Sequence, residues 1–207
     1  MHTVLLILGG QIAYHNYPQT AQILADVLEK DGLGVRTAQA SPAEIDLAGA
    51  DAVVVFTDGD FFTDDAITRL AAYVRRGHGL VTLHTAANTN VASPLIGPLV
   101  GSRVQGGVIG KHAARIVDAD HAITRGISDF DIDDEIHDLK PLAAYRTLVD
   151  GDMNGSRQPL VYVKAEGEGR TVHLAHGHAI SGISNPVWQE IFRRSVRWAI
   201  NGDDAKA

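Results

Sequence analysis

No cysteine occurs among the 207 residues of this chain. That absence removes disulfides, thiolate nucleophiles and zinc–thiolate sites together, and it fits a reducing, cytoplasmic setting. An excess of cations is missing as well: 18 Lys and Arg stand against 25 Asp and Glu, a formal charge of −7, and the cations are scattered. Nucleic acid calls for a clustered basic footprint, and an anionic membrane surface calls for a polybasic patch. Neither is an expected partner. The apolar run Val4–Leu8 has no basic residues before it and is too short for an export signal or a membrane span, so it reads as a buried strand. Gly9-Gly10-Gln11 lacks the Gly-Lys-Ser/Thr ending of a phosphate loop. Repeats, low-complexity tracts and long linkers are absent too. Residues 1–200 are therefore expected to form a single domain, with 201–207 as a polar tail.

What is present is histidine, ten in all, several at the ends of apolar runs. The first half alternates between two periods. Thr3–Leu8, Val35–Ala38, Val53–Phe56 and Leu80–Leu83 read as strands. Between them, Tyr17–Lys30 carries an apolar face (Ile23, Leu24, Val27, Leu28), and Thr63-Asp64-Asp65 starts a helix with stripe residues Ile67, Leu70, Ala71 and Val74. Ser41-Pro42-Ala43-Glu44 has capping-box spacing. This alternation implies a parallel sheet with helices on both faces. The second half reads as shorter strands, Val104–Ile109, Ala114–Val117, Arg146–Val149, Leu160–Lys164 and Thr171–Ala175, the last two joined as a hairpin at Glu166-Gly167-Glu168-Gly169. Asn185-Pro186 opens a final helix.

His84 stands where a strand runs into a sharp turn, a place where α/β hydrolytic enzymes carry Ser or Cys. Ligands of open α/β sheets gather outside such strand ends, and a histidine there can move protons, bind metal or hydrogen-bond a hydroxyl. Gly9 and Gly10 let the backbone come close to a ligand, which places His15 or Asn16 at the same cleft; a structural turn explains them equally well. In Asp131–Asp138, alternation puts Asp133, Glu135 and His137 on one face and Asp134 on the other. A carboxylate beside an imidazole suits acid–base work or ligation of a divalent metal, although such charge runs are often plain solvated surface. His176 or His178 is the better site candidate of the last cluster, with His173 exposed or satisfied in packing. No His-Glu-x-x-His spacing occurs, so spacing alone signals no metal. Trp188 and Trp198 suit core or dimer contacts alike, which leaves a homo-oligomer open.

The ordered stretches Gly77-His78-Gly79-Leu80-Val81-Thr82-Leu83-His84, His121–Ile127, Asp134-Glu135-Ile136, Gly167–Val172, Gly177-His178 and Trp198-Ala199 together resemble the trehalose-utilisation, or ThuA-like, family, over about residues 3 to 200. That family belongs to the class I glutamine amidotransferase-like superfamily. The chain departs from the family pattern at Ala122, His137 and Pro159–Val163, as a divergent member would. The resemblance implies an α/β, flavodoxin-like three-layer sandwich with a mostly parallel central sheet and a cleft at its carboxyl edge. It places His84, His112, Glu135 and His178 on motif positions. It also implies sugar catabolism alongside sugar oxidoreductases, through 3-keto-glycosides.

Together these readings set the expectations. Glu135, His84 and His178 carry catalysis, and His15, Asn16, Asn88, His112 and His137 contact substrate. A divalent metal such as zinc, if bound, is held by His84, His112 and His178. The expected partner is a small-molecule sugar, with a sugar oxidoreductase as a protein partner. The expected chemistry is proton transfer next to the carbonyl of an oxidised disaccharide, of isomerase, lyase or hydrolase type. A sugar-binding accessory protein for a dehydrogenase is the alternative. Glutamine hydrolysis is disfavoured, since it needs an activated nucleophile and no cysteine exists.

Overall fold

A computed structural model describes residues 1–10, 15–38 and 45–202 of the chain. The capping-box reading at Ser41–Glu44 and most of the polar tail lie outside the described residues. In chain order the elements are β1 (Thr3–Gly9), α1 (Tyr17–Lys30), β2 (Gly34–Ala38), β3 (Ala52–Thr57), α2 (Asp64–Arg75), β4 (Gly79–Leu83), α3 (Ile96–Val100), β5 (Ser102–Ile116), β6 (Phe130–Pro141), β7 (Arg146–Met153), β8 (Ser156–Glu166), β9 (Gly169–Leu174), α4 (Ile180–Ile183) and α5 (Pro186–Asn201). A short 3₁₀ turn, His84–Asn88, follows β4.

Local chemistry explains the helix ends. Asn16 caps α1 by accepting from the Gln19 amide, and Thr63 caps α2 by accepting from the Ala66 amide. Asn185 accepts from Val187 and Trp188 at the start of α5, where Pro186 loses no needed hydrogen bond. Past the end of α1, Gly32 (φ 76°) takes the left-handed conformation while the Leu33 amide returns to the Leu28 carbonyl.

All nine strands join one sheet in the order β2-β1-β3-β4-β9-β8-β7-β5-β6. The run from β2 to β9 is parallel. From β9 through β8, β7 and β5 to β6 every pairing is antiparallel. Strict side-chain alternation on β1 divides the core in two. Val4, Leu6 and Leu8 pack with α1 and α5 on one face, and Leu5 and Ile7 pack with α2 on the other. These are three layers, as expected.

A mostly parallel sheet is not what forms. The antiparallel half contains the longest strands, and more residues pair antiparallel than parallel. Val104–Ile109 and Ala114–Val117 are not two strands but one 15-residue β5, which pairs with the 12-residue β6 across a bulge between Val104 and Gly106. Gly106, Gly107 and Gly110 look like breaks in a sequence. Here all three sit inside a strand, and side-chain packing from β6 accounts for Gly107 alone, since a Cβ on Gly106 or Gly110 would meet nothing within 4 Å. A Cβ on Gly107 would fall 2.1 Å from Glu135 Oε1.

Candidate active site

The parallel strands reverse direction of winding at the β1/β3 boundary, since α1 and α2 leave on opposite faces. In open α/β sheets that is where a crevice forms beyond the carboxyl ends. Four neighbouring strands deliver polar side chains there. Asp58 directly follows β3, His84 directly follows β4, His178 follows β9, and His15 lies between β1 and α1. From the antiparallel half, β6 brings Glu135 and His137 over the same point.

His84 is fully buried with a positive φ of 45°, a left-handed conformation that histidine adopts more readily than most residues. Its Nδ1 lies 2.9 Å from the Ala175 carbonyl. That carbonyl can only accept, so Nδ1 carries the proton and Nε2 presents its lone pair to the crevice. Nε2 has no hydrogen-bond partner. Glu135 Oε2 lies 3.6 Å from His84 Nε2, 3.5 Å from His137 Nε2 and 3.1 Å from His178 Nδ1. The His84 and His137 rings stack at 4.3 Å, nearly parallel. Glu135 and His178 keep about a fifth of their side-chain surface exposed and form the rim; His84 and His137 form the floor.

Burial fixes the charge states. Desolvation, helped by the neighbouring imidazoles, pushes the His84 pKa far below its ordinary value, so it is neutral at pH 7. His137 foremost, with His178 and His15, holds the Glu135 carboxyl below the usual carboxylate range against the opposing effect of burial. Burial likewise lowers His15, against the pull of Asp58. The site is therefore one carboxylate facing a neutral His84 and three further imidazoles.

Two partners hold this arrangement. His15 Nδ1 lies 3.3 Å from the Tyr17 hydroxyl and 3.5 Å from Asp58 Oδ2, and the Tyr17 hydroxyl donates to the same carboxylate. Gly10 allows this, because a Cβ there would strike the Asp58 carboxylate. Asp134 is fully buried and accepts from the backbone amides of Glu135, Gly177 and His178, which ties β6 to the turn after β9.

The structure thus brings together Glu135, His84 and His178 with His15 and His137. Asp134 points away from Glu135, as strand alternation requires. His112 does not join them: it lies with Nε2 2.8 Å from His176 Nε2 and Nδ1 2.9 Å from the Gly110 carbonyl. The expected set of metal ligands, His84, His112 and His178, is therefore corrected, because the long β5 carries His112 to a separate pairing with His176. Asn16 is exposed and serves as the α1 cap, and Asn88 is half-buried at the end of the 3₁₀ turn. His173 is buried; its Nδ1 meets the Thr82 hydroxyl at 2.9 Å, and its Nε2 makes no hydrogen bond. Asp58 and Tyr17 were not foreseen. Asp58 follows an apolar strand just as His84 does, and that signal would have found it. A surface cavity of about 430 Å³ lined by His121, Tyr145, Arg170 and Trp198 shares no residue with the cluster.

A three-layer α/β chain with a carboxylate–imidazole cluster at its sheet switch point is the class that fold and site define. The model of the trehalose-utilisation family, ThuA, matches residues 3–199. The chain belongs to that family. A ThuA-like protein from Parabacteroides merdae superposes with a TM-score of 0.88 at 22% identity, covering 100% of this chain and 92% of that one. A ThuA-like protein from Bacteroides uniformis gives 0.82 at 14% identity, covering 99% and 93%. A β-galactosidase from Rahnella sp. R3 gives 0.70 at 16% identity, covering 95% of this chain and 31% of the enzyme. At these identities the likeness is one of fold. No curated protein matches the sequence.

Proposed function

We propose that this protein processes an oxidised, 3-keto disaccharide or glycoside, with Glu135 as the proton-transferring group. The observation that carries this reading is the Glu135 carboxylate at the solvent-facing rim, within 3.6 Å of three imidazoles. The family's role in trehalose utilisation supports a sugar as the substrate.

A ring ketone acidifies the hydrogens on its neighbouring carbons. Glu135 takes one such proton, and the C–H electron pair becomes an enolate. The enolate either takes a proton at the former carbonyl carbon while the hydroxyl on the deprotonated carbon gives up its proton and becomes the new ketone, which is isomerisation, or expels the glycosidic oxygen as a C=C bond forms. In the second case the proton held by Glu135 returns to the departing oxygen. A carboxylate held at low pKa is a weak base for such a proton, so the enolate oxygen needs electrophilic help. His178, at the rim, is placed to donate to it, while buried His84 and His137 keep the floor dry and polar.

The test is incubation with 3-keto-trehalose and related keto-sugars, followed by mass and NMR analysis. Wild type is expected to give product. Glu135→Gln is expected to lose roughly 10²–10⁴ in turnover, the usual worth of a general acid–base group, with the fold retained by circular dichroism. Saturable binding with no product would instead support the accessory role, and normal turnover in Glu135→Gln would remove the assignment of Glu135.

A further inference from the structure

Proton transfer by Glu135 leaves one feature of the crevice unused. The rings of His15, His84 and His178 form a nearly equilateral triangle, with centroids 5.2, 5.5 and 5.7 Å apart. Each ring is close to perpendicular to the other two, at 81°, 84° and 78°. One nitrogen from each lies within 4.8 Å of the others. Imidazoles bound tetrahedrally to one ion at about 2.0–2.1 Å would place their centroids about 5 Å apart. The triangle is therefore near the size that a shared ion requires. The stacked pair His84 and His137, 4.3 Å apart and tilted by only 12°, has a different geometry.

We propose that His15, His84 and His178 bind one divalent transition-metal ion, with Glu135 beside it as the neighbouring anion. Three independent observations converge. His84 Nε2 is fully buried, unbonded and aimed into the triangle, because its Nδ1 is occupied by the Ala175 carbonyl. His15 has the carboxylate of Asp58 on its Nδ1 side, the outer-sphere arrangement that orients a ligating imidazole and raises its basicity. Charge also balances: the carboxylates of Glu135 and Asp58 together offset a dication, which imidazoles alone would not. Nitrogen donors with carboxylates nearby suit zinc, manganese, iron, cobalt or nickel rather than calcium. The ion's place does not depend on the sugar reading. Its use does, since an ion there would polarise the enolate oxygen that Glu135 creates.

The experiment uses the full chain purified without a metal-affinity column and stripped with a chelator. Titration with Co²⁺, followed by its visible d–d absorption and displacement with Zn²⁺, is expected to show one equivalent per chain. His84→Ala and His178→Ala should abolish the spectrum. His178 lies at the rim, so its variant keeps the test meaningful if loss of the buried His84 disturbs folding. Asp58→Asn should weaken binding by roughly 10–100-fold, as the loss of an outer-sphere partner does. His112→Ala should bind as wild type does. Absence of a cobalt spectrum, or unchanged affinity in both the His84 and His178 variants, overturns the proposal. Stoichiometric binding without turnover of keto-sugars would keep the ion and remove the sugar reading; turnover by metal-free protein that chelation does not slow would keep the sugar reading and overturn the ion's part in it.

Discussion

Two groups of histidines occur in this fold, and they differ in how their nitrogens are used. His112 and His176 pair through their Nε2 atoms at 2.8 Å, and His173 Nδ1 meets the Thr82 hydroxyl at 2.9 Å while its Nε2 stays unbonded, outside any cluster of ligating atoms among the described residues. His84 is as buried as any of them, yet its Nε2 faces a carboxylate and two further imidazoles with no hydrogen bond made. Burial of an imidazole therefore does not mark a site. Nor does an unmatched nitrogen alone, since His173 Nε2 is unbonded too; what marks the site is an unmatched nitrogen with other ligating atoms within 4.8 Å, where one bound species would offset the desolvation cost of several groups.

Glycine gives the largest expected effect outside the cluster itself. Gly106 and Gly107 are adjacent on β5, but a Cβ on Gly106 meets nothing within 4 Å, whereas one on Gly107 would lie 2.1 Å from Glu135 Oε1. Gly107→Ala must swing the carboxylate away from the imidazoles. It is expected to lower turnover by about 10²-fold, the scale of an ångström-sized misplacement of a reacting group, while Gly106→Ala stays within about twofold of wild type. Steady-state kinetics on both variants check this. Equal activity would mean that the position of Glu135 does not matter.

The same comparison explains what could be read from the sequence. Strand and helix periods in the first half stand out because each parallel strand is a short apolar run bounded by caps and glycines. Tyr17–Lys30 is legible to the residue for that reason. His84 is legible because it follows such a run. The second half is harder to read. β5 contains glycines that normally interrupt a strand, and the long-range packing of Glu135 over Gly107 explains one of them. His112 lies on a motif position yet pairs with His176, because fifteen residues of continuous strand carry it there. Asp58 meets Tyr17 across 41 residues of sequence, and His15 with it, a distance at which periodicity carries no signal.

A smaller effect tests the satisfied group. His112→Ala leaves His176 Nε2 buried without its partner. The expected loss is about 1–3 kcal/mol of stability, the penalty for an unsatisfied buried polar group, measured by urea unfolding at pH 7.5. A neutral result would mean that water replaces His112 in that pairing.

The smallest effect is the pH dependence contributed by one residue of the same group. His173 is fully buried against Thr82 and Tyr162, with its pKa lowered to about 3, chiefly by burial and secondarily by His137. In the unfolded chain the same ring titrates near 6.5. Between those two values the unfolded state holds a proton that the fold does not, so the contribution to stability is complete above about pH 6.5 and falls as the pH drops towards 3. A single such group lowers stability by about 1.4 kcal/mol per pH unit in that window. His173→Gln, which can still hydrogen-bond to Thr82 but cannot titrate, should flatten the slope between pH 6.5 and 5 by that amount. Urea unfolding of both proteins across that range provides the measurement. Parallel slopes would show that His173 takes up its proton without leaving the fold, and would place the acid sensitivity of this half elsewhere.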